Sequence, residues 1–341
     1  MSSGVGDDGG PDAPAPDPDA FCSIDENDIF RGSSRDGIPA LTDPLTTTPG
    51  GDGLDYLLPG DRVIGVVIDG DAVAVPLNLG WWHEIVNIEI GGRRVAVTHC
   101  PLTGSSLVFD REPLDGAEFG VSGLLYLNNL IMYDRVDDES LWPQMARGAR
   151  CGEGKGSDLS MIPAWEMTWD GWRALHPDTR VVTSETGFAR DYRFYPYGPY
   201  DTPSDARLLF PLRGGVDLRR PPKERVLGIP DSNGGVAYPF GSMAQLGPVA
   251  AIPDHSRIVF WDGDIEAAMA YSRVLDGETL SFELSGGRIT DRETGSAWRL
   301  DGLATSGPLA GRRLDPVAEA YVAYWFAWAA FHRSTFLWGS E

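Results

Sequence analysis

The chain has 341 residues, 42% hydrophobic and 10% aromatic, enough to bury one large core or two moderate ones. Its formal charge of −22 comes from 50 acidic against 28 basic residues, and Lys155 and Lys223 are its only lysines, so nearly all of its positive charge is arginine. A surface of that sign repels nucleic acid and anionic membranes and excludes both as expected partners; it reads as a solvated, salt-tolerant exterior.

Met1 to Asp19 is Asp, Pro and Gly with no basic start and no apolar stretch. It reads as neither a signal peptide nor an anchor, and residues 1–37 are expected to form a disordered acidic leader. The expected location is cytoplasmic, or exported if a leader has been removed. Cys22, Cys100 and Cys151 are odd in number and widely spaced, with no Cys-x-x-Cys pair, so a disulfide framework is not expected.

From residue 38 the pattern turns to short strands. Val63 to Ile68 and Ala72 to Val75 flank Asp69-Gly70-Asp71 as a hairpin, and Gly91-Gly92 marks a second turn. Val95 to Thr98, Ser106 to Phe109, Phe119 to Tyr126 and Leu130 to Tyr133 follow as strands, and Pro163 to Leu175 is expected as a closing helix opened by proline. A Tyr- and Pro-rich linker, residues 187–222, carries Tyr192, Tyr195, Tyr197 and Tyr200 and is suited to covering an interface or a pocket. The order then starts again, with a turn at Ser285-Gly286-Gly287 and a helix expected over Pro316 to Phe331. The apolar run Val317 to Phe331 is shorter than the ~20 residues of a bilayer span.

The second half echoes the first. Arg62-Val63-Ile64-Gly65 returns as Arg225-Val226-Leu227-Gly228, Ser140-Leu141-Trp142 as Ser296-Ala297-Trp298, and Trp172 to His176 as Trp328 to His332. The fold class expected is therefore α+β and β-rich, in two tandem pseudosymmetric repeats of short antiparallel strands plus a closing helix. Residues 38–186 form the first repeat and 223–341 a second, degenerate one.

Duplication separates residues the fold requires, which recur, from residues that serve a site, which need not. His176 and His332 match, each at a helix end four residues after a tryptophan, where the ring is expected to meet the last carbonyls. Trp142, Trp172, Trp298 and Trp328 also recur and read as core. His255 lies in a loop with no polar cluster around it and reads as exposed. By contrast His83-Glu84 falls on Leu246-Gly247, His99-Cys100 on Asp262-Gly263, Met132 on Ile289 and Tyr126 on Glu283. His83, Cys100 and Met132, with His99 as fourth, supply imidazole, thiolate and thioether, the donors that copper prefers, with zinc or iron as alternatives. Singly, each reads equally well as a loop-capping histidine, a small buried thiol or a core methionine. Strand neighbours alternate faces, so His99 and Cys100 are not expected in one pocket without a bulge. No nucleotide-binding loop, dinucleotide fingerprint or Gly-x-Ser-x-Gly elbow occurs.

Trp82-His83-Glu84-Ile85-Val86-Asn87, Val95 to Gly104 around Cys100-Pro101-Leu102, Phe119 to Tyr126, Met132-Tyr133-Asp134-Arg135 and His176-Pro177-Asp178-Thr179 resemble the family called domain of unknown function 3179. The resemblance runs from about Ile38 to the C-terminus. It implies no activity, since the family name records none, and it implies members that are often exported or lipid-anchored, which this N-terminus does not match. It also implies two departures: His99 where an aromatic residue commonly precedes the cysteine, and Thr103 where a second cysteine is frequent.

The expectation carried forward is a metal-dependent oxidoreductase, copper preferred, acting on a small molecule. Its catalytic candidates are Cys100, His83, Glu84 and Tyr126, and its metal candidates His83, Cys100, Met132 and His99. The alternatives are a non-catalytic metal-binding or scaffold protein with the Tyr-rich linker closing a groove, and a thiolate enzyme with Cys100 as nucleophile, His83 or His99 as base, and Glu84 or Asp134 as orienter.

Overall fold

A computed structural model describes residues 21–251 and 256–339. In chain order, β1 (Ile29–Arg31), β2 (Leu41–Thr42) and β3 (Thr46–Thr47) precede the hairpin β4 (Arg62–Ile68) and β5 (Asp71–Pro76). Then come α1 (Leu77–His83), β6 (Ile85–Ile90), β7 (Arg93–Cys100), β8 (Ser105–Asp110), β9 (Phe119–Tyr126), β10 (Asn129–Asp134), β11 (Ser140–Pro143) and β12 (Cys151–Gly152). The first half closes with β13 (Ala164–Thr168), α2 (Trp169–Leu175) and β14 (Arg180–Val182). The second half contains β15 (Arg225–Ile229), β16 (Val236–Pro239), α3 (Phe240–Leu246), β17 (Val249–Ala251), β18 (Arg257–Asp262) and β19 (Ala267–Ser272). It continues through β20 (Val274–Leu275), β21 (Glu278–Thr279), β22 (Phe282–Ser285), β23 (Arg288–Asp291), β24 (Ala297–Trp298) and β25 (Ala304–Ser306), and ends with β26 (Tyr321–Tyr324), α4 (Trp325–Phe331) and β27 (Phe336–Leu337).

The protein is β-rich, with several sheets and, among the described residues, four short α-helices. One sheet runs β13-β4-β5-β14-β3, and an eight-stranded sheet runs β2-β6-β7-β8-β26-β15-β16-β27. The eight-stranded sheet crosses between the halves at a single pairing, Val322 of β26 with Ser106 of β8. A third sheet, β1-β9-β10-β11-β12, carries the N-terminal segment on its edge. No helix among the described residues is long and apolar enough to cross a membrane.

The expected hairpins form, with β4 and β5 paired from Val63–Pro76 to Ile68–Asp71. Gly91-Gly92 and Gly286-Gly287 turn with the same dihedrals, φ 57° then 76°, which only glycine adopts freely at both positions. The two closing helices are shorter than expected. Ala164–Thr168 and Tyr321–Tyr324 pair as strands with β4 and β15, so sheet hydrogen bonding overrides a helical reading that began at Pro163 and Pro316. Each helix starts only beyond its strand, α2 being capped where Thr168 Oγ1 accepts the Gly171 N–H at 3.2 Å.

The tryptophans fill the core. Trp172 Nε1 donates to Thr179 Oγ1 at 2.9 Å and Trp328 Nε1 to Thr335 Oγ1 at 2.8 Å. Both rings lie flat on a strand glycine, Gly65 and Gly228, where a Cβ would come within 2.1 and 2.0 Å of the indole. Trp142 and Trp298 donate to Asp134 and Asp291 at 3.0 and 2.9 Å, so Asp134 is spent on the core and on the Ser140 N–H.

The N-terminal boundary and the cysteines differ from expectation. Cys22 and Cys151 form a disulfide across 129 residues, and β1 adds antiparallel to β9, so residues 21–37 are part of the fold. Two distant cysteines in one chain carry no pairing signal when the strands that bring them together are unknown. Residues 1–20 and His255 lie outside the described residues.

Candidate functional site

α1 is seven residues long, with all but Trp81 and Trp82 buried, and Gly80 lets it touch β7: a Cβ there would stand 3.0 Å from His99 Cβ. The helix ends where the Glu84 N–H meets the Gly80 carbonyl at 2.9 Å, and the Glu84 carbonyl then accepts the His99 N–H at 2.7 Å. Held from both sides, Glu84 has φ 58° and ψ −33°, a conformation that costs a non-glycine residue of order 1–3 kcal/mol. At the end of α3 the same place is taken by Gly247, with φ 115°.

The Glu84 side chain is 5% exposed, and its carboxyl makes no hydrogen bond with another described residue. It borders a cavity of about 140 Å³ whose other walls include Ile38, Leu102, Val121, Leu125, Tyr197 and Phe210. Burial alone pushes the carboxyl pKa up to about 8, so it is mostly protonated at neutral pH.

Cys100, at the end of β7, is buried beside it. Its Sγ accepts the Leu130 N–H at 3.4 Å and donates toward the Asn128 carbonyl at 3.8 Å. Burial, then the neighbouring Glu84, push the thiol up to about 11, which makes it a neutral thiol at rest. Below it lies a closed polar network: Thr103 and Ser105 share a hydrogen bond of 2.9 Å, Ser105 donates to Gln144 Oε1 at 2.6 Å, and Asn129 Nδ2 donates to the same oxygen at 2.8 Å. Asn128 exchanges two hydrogen bonds of 3.1 Å with the Phe210 backbone, pinning the linker over the cavity. Tyr200 adds a third tie by donating to the Leu102 carbonyl at 3.1 Å.

The four expected metal donors have different partners. His83 Nδ1 faces the Pro39 carbonyl at 2.7 Å, which can only accept, so Nδ1 carries the proton and Nε2 accepts from the Tyr192 hydroxyl at 2.8 Å. Both nitrogens are thereby committed, tying α1 to the N-terminal segment and the linker. His99 points the other way, as strand alternation requires. Its Nδ1 meets Ser106 Oγ at 3.1 Å, and burial lowers its pKa to about 4. Met132 is fully buried in β10 between Val121 and Trp142. Among the described residues no three His, Cys, Asp or Glu side chains are grouped to hold a metal. Tyr126 packs edge-on against Phe331 at 5.7 Å and is not among the cavity walls. Among the described residues neither histidine is hydrogen-bonded to Cys100, whose partners are the Leu130 N–H and the Asn128 carbonyl. His176 and His332 stack on Trp172 and Trp328 at 4.2 and 3.9 Å, and their backbone N–H groups, not their rings, meet the helix carbonyls.

A group that sequence reasoning missed stands at the seam of the two halves. Glu166 Oε1 accepts from Arg62 at 2.8 Å and from Arg225 at 2.7 Å, and its Oε2 accepts from Ser106 Oγ at 2.7 Å. Ser106 is the residue through which His99 joins this buried cluster. Arg62 and Arg225 were matched by sequence, but nothing in the pattern says that they share one carboxylate.

Residues 35–335 match the family described as "Protein of unknown function (DUF3179)". The chain belongs to this family. Nearly the whole DUF3179 match is covered by the described fold, and it includes Glu84, Cys100 and the linker segment that closes over them. No curated protein and no solved structure matches the chain.

Proposed function

We propose that this DUF3179 protein is an enzyme that takes a small, largely apolar molecule into the cavity bordered by Glu84 and transfers a proton to or from it through the Glu84 carboxyl. The observation that carries this reading is Glu84 itself. A carboxyl with no internal partner, at the edge of a cavity and in a backbone conformation that favours glycine, stores instability that packing alone does not explain. A pKa near 8 suits both directions of transfer at neutral pH, because the acid predominates while a usable fraction is base. Cys100 is a neutral thiol behind Glu84, outside the cavity lining, and the clamp of His83 on Pro39 and Tyr192 holds α1 in place. A copper centre has less support, because its four candidate donors face three different surroundings.

We also read the two halves as copies of one unit. This is supported by the shared order β13-β4-β5-β14 and β26-β15-β16-β27, each with a parallel last strand, and by the paired Trp–Thr contacts. On that reading the site belongs to the first copy alone. The disulfide fits an oxidising compartment better than a reducing one.

Two measurements test the proposal. Carboxyl infrared or ¹³C spectra of the protein should show one acid titrating near pH 8 that is absent in Glu84→Gln. Small apolar ketones in D₂O should exchange their α-hydrogens with the protein present, and not with that variant. A Glu84 that titrates like a surface carboxylate, or exchange unaffected by Glu84→Gln, sinks the reading.

A further inference from the structure

The linker brings four tyrosines to the side of the fold that carries Glu84, and three of them serve other contacts. Tyr192 shares its hydroxyl with His83 and Thr186, Tyr195 packs edge-on against Trp81, and Tyr200 donates to the Leu102 carbonyl. Of the four, Tyr197 borders the Glu84 cavity. Its ring lies 5.5 Å from that of Tyr195, and its hydroxyl makes no hydrogen bond with another described residue.

Two side chains on the cavity wall thus carry polar groups without a partner among the described residues, the Glu84 carboxyl and the Tyr197 hydroxyl. The remaining side-chain oxygen of the lining, Ser33 Oγ, donates to the Ser34 carbonyl at 3.1 Å, and the other walls are glycine, Ile, Leu, Val and Phe. Burial first, then Glu84 and Cys100, raise the Tyr197 pKa above the phenol range, so the hydroxyl keeps its proton and is available as a donor. An occupant without an acceptor leaves that donor unpaired in an apolar chamber, which is costly, whereas a carbonyl oxygen removes the cost. Size sets a further limit. At about 140 Å³ the cavity is close to the ~150 Å³ that houses benzene.

Building on the proton-transfer reading of Glu84, we propose that the substrate is a carbonyl compound with an α-hydrogen and about six or seven non-hydrogen atoms, and that Tyr197 donates to its carbonyl oxygen. The Glu84 carboxylate removes the α-hydrogen as a proton. The C–H electron pair becomes the C=C bond of the enolate, and the carbonyl π pair moves onto oxygen, where the Tyr197 O–H stabilises it. Return of a proton from Glu84 to carbon reverses each of these shifts, so the cycle balances, and in D₂O the returned proton is a deuteron.

Cyclopentanone, which matches this size, tests the proposal by proton NMR in D₂O. The parent should exchange its α-hydrogens, and Tyr197→Phe should lower the turnover number at least about a hundredfold with KM little changed. The carbonyl stretch of bound ¹³C-labelled cyclopentanone should lie at lower frequency than in hexane, both in the parent and in Glu84→Gln, and return toward the hexane value in Tyr197→Phe. The parent spectrum does not depend on a variant folding, and the Glu84→Gln spectrum does not depend on exchange. Exchange lost in Glu84→Gln but equal in a folded Tyr197→Phe overturns the role of Tyr197 and leaves the Glu84 reading standing. Failure of cyclopentanone to bind, an unshifted carbonyl band in the parent, or an equal exchange rate for cyclododecanone also overturns the proposal.

Discussion

The ends of α1 and α3 are built alike and finished differently. Both helices have seven residues, follow a proline that closes a strand, and stop at a residue with positive φ, Glu84 in one and Gly247 in the other. The same holds one strand over, where Glu166 faces Ile64 of β4 and Val322 faces Leu227 of β15. In each pair the second half carries the residue that costs the backbone or the core least, and the first half carries an ionisable group. The difference teaches that the first half sacrifices stability at defined places, and those places adjoin a cavity or the seam.

Substitution at Glu84 breaks the comparison most strongly. A carboxyl whose folded pKa is about 8 keeps its proton while the unfolded chain ionises from about pH 4.5, so stability falls progressively as pH rises between those values. Glu84→Gln removes the difference and should stabilise the protein at pH 8 by up to about 5 kcal/mol, the gain vanishing near pH 4.5. Denaturant unfolding of both proteins across that range checks it. Glu166→Val, which copies the second half, has the opposite sign: it strands Arg62 and Arg225 and should cost about 3 to 5 kcal/mol in the same assay.

His99 gives a smaller effect at the acid end. Its folded pKa is depressed to about 4, so the unfolded chain takes up the proton first, and stability should fall by about 3 kcal/mol as pH drops from 6.5 to 4. His99→Gln should flatten that part of the pH profile. Smallest is Glu84→Gly, compared with Glu84→Gln at one pH: relief of the positive φ should add about 1 kcal/mol, less whatever the lost side-chain packing takes away. If Glu84→Gly is instead the less stable of the two by several kcal/mol, the conformation at residue 84 is not a strained one.

Much of the fold was legible because hairpins announce themselves locally. Gly91-Gly92, the alternation through β4 and β5, and the recurrence of Trp172 as Trp328 were each readable from a few neighbouring residues. The strands preceding α2 and α4 were not, since Ala164–Thr168 and Tyr321–Tyr324 become strands only through partners about a hundred residues away, β4 and β15. The site was half legible for the same reason. Matching His83-Glu84 to Leu246-Gly247 drew attention to the right position, but residue type favoured the histidine, whose nitrogens are both committed. The informative fact was the glycine opposite Glu84. Tyr197 was visible as one of four tyrosines in the linker, yet which of the four borders Glu84 depends on where Asn128 pins the linker at Phe210, a long-range contact that composition does not express.

The Cys22–Cys151 bond turns part of the chain into a covalent ring of about 130 residues, worth at most about 5 kcal/mol through the entropy it removes from the unfolded state. Glu84, Cys100, Leu102 and Val121 lie inside that ring, whereas Tyr197 and Phe210 lie outside it. The Glu84 cavity is thus walled by a closed loop and roofed by an open segment of chain. Peeling back the linker uncovers Glu84 and Cys100 while the ring stays intact, so amide hydrogen exchange in residues 192–212 should run ahead of exchange in β7 and β10. Reduction of the disulfide, by contrast, should leave residues 29–36 held by their pairing with β9 and by the Phe30–Phe210 contact under the roof.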